Sequence, residues 1–181
     1  MLKTILLTLI SVIAIVVVIG LCLSTHYSAS RSVVIQAPAE RIFELIGDLK
    51  RWPEWEPFSK ADPTTKTTLG ETTTGVGASQ SWLGEGNKGR LKFTACDPKV
   101  GIEYDVVFTN GEHDSPAKSW MRLNARPEGS VEVLWGMEGE MNMPMVGGYI
   151  ALFADKFIGP MFEGGLDALK TRAEAKAAQA K

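Results

Sequence analysis

From Ile5 to Leu23 the chain runs ILLTLISVIAIVVVIGLCL, nineteen residues without a charge in which only Thr8 and Ser11 are polar. At 1.5 Å per residue such a helix reaches about 28 Å, close to the hydrocarbon thickness of a bilayer. An amphipathic helix of a soluble core would show polar positions every third or fourth residue, and this stretch shows none. It is longer than the apolar run of a usual cleaved signal, and no clean small-x-small site follows it. Ser28-Ala29-Ser30 is a weak candidate, and Leu21 stands before Cys22 where a lipoprotein signal needs a small residue. The expectation is an uncleaved single-pass anchor, with a signal peptide as the alternative. Lys3 precedes the run while Arg31 and Arg41 follow it, and a short Lys-bearing tail of this kind puts the domain outside the cytoplasm.

Beyond a polar stretch, Ser24 to Ser30, the patterning becomes that of a folded body. Arg31 to Ala37 is rich in β-branched residues and predicts a strand ended by Pro38. In AERIFELIGDLKRW, residues 39–52, Ile42, Phe43, Leu45, Ile46 and Leu49 fall on one helical face and the charges on the other. Residues 59–77 predict loop, with at most a short edge strand around Lys66 to Leu69. Five strand-like runs follow, at 78–83, 89–95, 102–109, 118–125 and 130–140, separated by turn-forming clusters such as GEGNKG and DPKVG. Connections this short pair neighbouring strands antiparallel. Alternation sets Val131, Val133, Trp135 and Met137, and likewise Tyr104, Val106 and Phe108, towards the core. A long helix from Val146 to about Ala178 closes the chain, with a bend or short break expected at Gly159-Pro160. The division expected is 1–30 anchor and linker, 31–172 folded domain and 173–181 frayed helical tail.

The fold class is therefore α+β, a curved antiparallel sheet with helices against one face. Gly147, Gly148, Gly159, Gly164 and Gly165 on the last helix are expected to leave room beside the large residues, and hence a cavity between that helix and the sheet.

Composition narrows the chemistry. All but one of the 19 basic residues and all 21 acidic ones lie beyond residue 30, so the body is mildly acidic and shows no basic stripe for nucleic acid. Two cysteines, Cys22 in the apolar run and Cys96 in the body, predict no disulfide. His26 and His113 are the only histidines, the second in a turn beside Asp114, so neither a histidine metal site nor a Ser-His-Asp arrangement is expected. The glycines of 84–89 fit neither a dinucleotide fingerprint nor a P-loop and read as a hairpin turn. No cofactor is expected. For an enzyme there remains a buried acid, base or tyrosine in an apolar cavity, and Tyr104 is the one inward-facing candidate.

Four stretches carry a family resemblance: SVVIQAPAERIFELIGDLKRWPEWEPF from Ser32, the strand GSVEVLW at 129–135, its MEGEM continuation, and DKFIGPMFEGGLDALK at 155–170. The tryptophan corner Trp52-Pro-Glu-Trp55-Glu-Pro-Phe58 is the most specific part. The body resembles the SRPBCC superfamily, the helix-grip fold shared by START lipid-transfer domains, birch-pollen-allergen-like proteins and the polyketide cyclase/dehydrase group. That resemblance implies a seven-stranded sheet gripping the final helix, and a hydrophobic ligand of lipid, sterol, quinone or polyketide type. The expected partners are such a ligand and a membrane; oligomeric state is left open. The leading reading is a non-catalytic carrier, and the alternative a cyclase or dehydratase on a polyketide-like substrate. From alternation, the expected ligand-facing residues are Phe43, Trp55, Phe93, Tyr104, Val106, Phe108, Met121, Leu123, Val133 and Trp135, with Ile150, Ala154, Phe157 and Met161 on the last helix.

Overall fold

A helix with no polar face leads directly into a sheet. In the computed structural model, which describes residues 2–58, 62–85, 88–111 and 113–177, helix α1 (Leu2–Cys22) is followed after three residues by strand β1 (His26–Ile35). α1 is long and apolar enough to cross a membrane, and almost none of it is buried against the rest of the molecule. β1 begins five residues before its expected start. The segment His26–Ser30 looked like linker because it is polar, yet Tyr27 and Ala29 alternate inward and the run pairs with Gly136–Glu140.

After β1 come helix α2 (Ala39–Ile46), a 3-10 helix (Leu49–Glu54), and strands β2 (Lys66–Leu69), β3 (Ser79–Leu83), β4 (Lys88–Asp97), β5 (Gly101–Asn110), β6 (His113–Ala125) and β7 (Val131–Glu140). His113 thus opens a strand instead of sitting in a turn. The chain closes with helix α3 (Gly147–Ala177). The strands form one seven-stranded antiparallel sheet in the order β1-β7-β6-β5-β4-β3-β2, the α+β class the patterning predicts and the helix-grip arrangement the resemblance implies. The helix expected over 39–52 divides at Gly47: the α-helical part ends there, and the Asp48 carboxylate caps the 3-10 turn by accepting from the Lys50 amide at 3.0 Å.

Register orders the sheet into rows. One row crosses all seven strands through Tyr27, Gly139, Ala117, Val106, Leu91, Gln80 and Leu69. Two residues nearer α1, Phe108, Gly89, Trp82 and Thr67 stand opposite one another, and the Met141 amide donates to the Thr25 carbonyl at 2.9 Å. This end of the sheet is the one at which α1 joins.

α3 is continuous through Pro160, with no break at Gly159-Pro160. Its packed face is Ala154, Phe162, Leu166, Leu169 and Ala173, all buried, so the helix stays docked past residue 172. Glu174 also accepts from the Gln36 amide at 2.8 Å, while residues 178–181 lie outside the described residues. Of the five helix glycines only Gly164 has open space beside it, while Gly147, Gly148, Gly159 and Gly165 are closely abutted. The Arg31 guanidinium lies directly over Gly159 and bonds Asp155 (2.7 Å) and Glu163 (2.6 Å) on either side, clamping β1 to α3. A Cβ on Gly165 would come within 2.7 Å of the Trp135 ring. These glycines permit close approach.

Candidate functional site

The tryptophan corner is built by hydrogen bonds as much as by packing. The last carbonyls of a helix lack partners within it. The Trp52 indole donates to the Ile46 carbonyl at 2.8 Å and the Trp55 indole to the Leu45 carbonyl at 3.0 Å, so both rings cap α2 while lying on the sheet. Trp52 meets Trp55 and Tyr104, each at 5.5 Å, and Phe93 at 5.9 Å. Trp55 meets Trp135 edge-on at 5.6 Å, and Trp135 stacks on Phe162 of α3 at 4.3 Å. Offset stacking and edge-to-face contacts are the favourable geometries for such rings. The middle of the space between sheet and α3 is therefore filled with aromatic side chains.

The free volume lies to one side of that plug. A cavity of about 90 Å³ is bounded by the tryptophan corner (Trp52, Pro53, Glu56, Phe58), the β2–β3 edge (Thr65, Thr67, Gln80, Trp82) and the sheet floor (Leu91, Tyr104, Val106, Phe108, Trp135, Met137). Its walls are mostly apolar, with a few polar groups, as small-molecule sites generally are. No α3 residue lines it. A wider hollow of about 530 Å³ on the outer face of the sheet, around Trp120, is bordered by Glu103, Asp105, Lys118, Arg122 and Glu138 and gives a ligand no apolar enclosure.

Two titratable side chains on the cavity wall, Tyr104 and Glu56, could act on a guest. Tyr104 is buried, accepts from the Trp135 indole at 3.1 Å and shares a hydrogen bond with Ser119, whose hydroxyl donates to the Gly136 carbonyl at 2.8 Å. Burial pushes the Tyr104 phenol up to about 12, so it is neutral throughout the physiological range. Glu56 is 7% exposed, and its carboxylate accepts from the Phe58 amide at 2.6 Å. Among the described residues no group of His, Cys, Asp and Glu is arranged to hold a metal ion.

Of the residues expected to face a ligand, Tyr104, Val106, Phe108 and Trp135 stand on the cavity wall. Trp55, Phe93, Met121, Leu123, Val133 and Ala154 are buried in the core away from it, and Phe43 and Ile150 are half-buried. Phe157 and Met161 are placed wrongly by the sequence reading: they are 68% and 38% exposed, on a face of α3 turned from the sheet. The reading also missed Glu56, Thr65, Thr67, Gln80, Trp82 and Leu91. Glu56 and Trp52 belong to the corner motif already singled out, whereas the Thr and Gln positions of an edge strand carry no apolar signal.

Comparison with known proteins agrees with this geometry. No match is found among the curated proteins. Among solved structures, protein jhp0584 from Helicobacter pylori superposes with a TM-score of 0.62 at 10% identity, covering 81% of this chain and 87% of that one. Protein CV1439 from Chromobacterium violaceum gives 0.60 at 16% identity, over 81% and 96% of the two chains. Ara h 8.0201 gives 0.58 at 12% identity, over 83% and 99%. At such identities these likenesses show the shared fold. Residues 26–174 match the family described as polyketide cyclase / dehydrase and lipid transport, so the chain belongs to that family, within the SRPBCC superfamily.

Proposed function

We propose that the protein is a membrane-anchored, non-catalytic binding or transfer protein for a hydrophobic small molecule of lipid, quinone or polyketide type, with its domain outside the cytoplasm. The family fold suggests hydrophobic ligand binding. The observation that supports the finer reading is position: the cavity floor spans the Tyr104–Met137, Val106 and Phe108–Trp82 rows, towards the end of the strands at which α1 joins, on the β2–β5 side of the sheet. A pocket tethered to a membrane meets membrane-partitioned molecules at high local concentration. Size limits what enters. An engineered apolar cavity of about 150 Å³ takes benzene, so a cavity of about 90 Å³ admits a ring edge or a short chain end while the rest of the guest remains outside.

The test uses the full chain in lipid nanodiscs and a short-chain benzoquinone, followed by quenching of tryptophan fluorescence. Saturable quenching is expected, and Val106→Phe, which fills the cavity, should abolish it while the thermal unfolding transition persists. Quenching that is linear in quinone and unchanged by Val106→Phe would contradict the reading.

Glu56 favours a second reading, an enzyme of cyclase or dehydratase type in the same cavity. Tyr104, held neutral and bonded to Trp135 and Ser119, is poorly suited to act as a base, which leaves Glu56 as the carboxylate on the wall. Under this reading Glu56→Gln keeps guest affinity but abolishes turnover of a polyketide-like ketone. A variant that loses both together counts against it.

A further inference from the structure

The exposed side of α3 has a pattern that the cavity does not use. From Met141 to Ala154 the chain carries no charge. A run of this length is too short to span a bilayer and is typical of a buried or interfacial segment. Here its large apolar side chains stand out: Met145, Val146, Leu152 and Phe153 are 50%, 49%, 63% and 48% exposed, and Phe157 (68%) and Met161 continue the stripe over the next two turns. The stripe faces away from the sheet, which takes Ala154, Phe162 and Leu166 instead.

α1 lies beside the start of this helix. The Tyr149 hydroxyl donates to the Val16 carbonyl at 2.7 Å, and Gly148 abuts Leu23. Val16 is six residues inside the end of α1, about 9 Å along the helix axis. If α1 spans a bilayer, the first turn of α3 sits at the depth of its last two turns. A phenol at that depth needs a protein partner, because hydrocarbon supplies none, and the Val16 carbonyl is one. Farther along, Lys156 holds its ammonium 5.3 Å from the Phe153 ring, an apolar stem with a charged tip suited to the headgroup boundary.

We propose that the first half of α3, through Leu152, Phe153, Phe157 and Met161, docks into the lipid interface beside α1, so that the domain is held at the bilayer in one orientation. This rests on the reading of α1 as a membrane span. Two points of attachment, one spanning and one interfacial, would fix the cavity end of the sheet relative to the lipid surface, whereas α1 alone would leave the body free to swivel.

Spin labels on the full chain in vesicles of phosphatidylcholine and phosphatidylglycerol test it. Single cysteines are placed by Ile10→Cys, Phe157→Cys or Thr171→Cys in a Cys22→Ser, Cys96→Ser background, and each label's accessibility to oxygen is compared with that to a water-soluble nickel chelate. The expected result is a preference for oxygen at positions 10 and 157, several-fold above that at position 171. Water-like accessibility at 157 with hydrocarbon-like accessibility at 10 would overturn the docking while leaving the anchor intact. Water-like values at both would remove the anchor reading and this proposal with it. Spin–spin broadening at 157 that disappears on dilution with unlabelled protein would identify the stripe as a contact between copies, also against it. Leu152→Glu with Phe157→Glu should drop the Met161→Cys label into water without releasing the protein from vesicles.

Discussion

The centre of the sheet and the end at which α1 joins are built from the same kinds of residue and do opposite things. At the centre, Trp55, Trp135 and Phe162 stack into a solid layer between strands and α3, with Gly165 allowing the helix to press against the Trp135 ring. At the α1 end, Trp52, Trp82 and Phe108 stand around empty space. The difference is what lies overhead. A helix on a glycine-sized spacing closes the first region, while among the described residues the second is roofed by the tryptophan corner and a short edge strand. Aromatic content by itself thus says nothing about whether a site is full or hollow.

This contrast can be broken by substitution. The largest effect is expected at Trp135→Ala, which removes a buried ring together with the hydrogen bond to Tyr104 and should cost about 3–5 kcal/mol in urea unfolding. Trp82→Ala, on the half-buried wall of the cavity, should cost under about 2 kcal/mol. Equal losses would mean that the α1 end is packed as tightly as the centre. Next comes Gly165→Ala, whose new methyl group meets the Trp135 ring and should destabilise by about 1–3 kcal/mol. Gly164→Ala, with open space beside it, should stabilise by up to about 1 kcal/mol through helix propensity. Opposite signs from adjacent glycines would sharpen the distinction between the packed and free sides of α3.

The smallest effect concerns pH, at the join between the corner and α3. Hydrogen bonds from Arg51 (2.9 Å) and Arg172 (2.9 Å) hold the Glu54 carboxyl down to about 2, against an ordinary value of 4.5. A lowered folded-state value adds stability above pH 4.5, and that stability drains away as pH falls from 4.5 towards 2. Glu54→Gln should therefore show a shallower loss of stability over that range than the parent, and the two should run parallel above pH 6. Parallel curves throughout would mean that the corner is not electrostatically tied to the final helix.

How much of this could be read from the chain differs by element. β5 and β7 were legible because Tyr104-Val106 and Val131-Val133-Trp135 alternate with polar neighbours, and the edge strand Lys66–Leu69 was marked by its threonines. β1 was legible only in part, since its first half alternates Tyr27 and Ala29 with serines, and small residues give little contrast. In α3, two apolar stripes lie one residue apart, Phe153-Phe157-Met161 and Ala154-Ile158-Phe162. Periodicity finds both but cannot choose between them, and the sheet accepted the stripe that brings Phe162 onto Trp135. The hollow itself was harder still. It depends on how a loop and an edge strand lean over the floor, a matter of tertiary geometry that leaves no mark on spacing.

The connector Leu23–Thr25 carries a further consequence. Three residues stretch to about 10 Å at most. Were α1 a membrane span, a body on so short a stalk would not range through the surrounding fluid; it would patrol a thin layer and move only as fast as its mount diffuses sideways. Under the carrier reading, exchange of cargo would then require lateral collision, and a flexible glycine–serine insert in the stalk, which also loosens the contacts of Leu23 with Gly148 and of Thr25 with Met141, should change delivery rates.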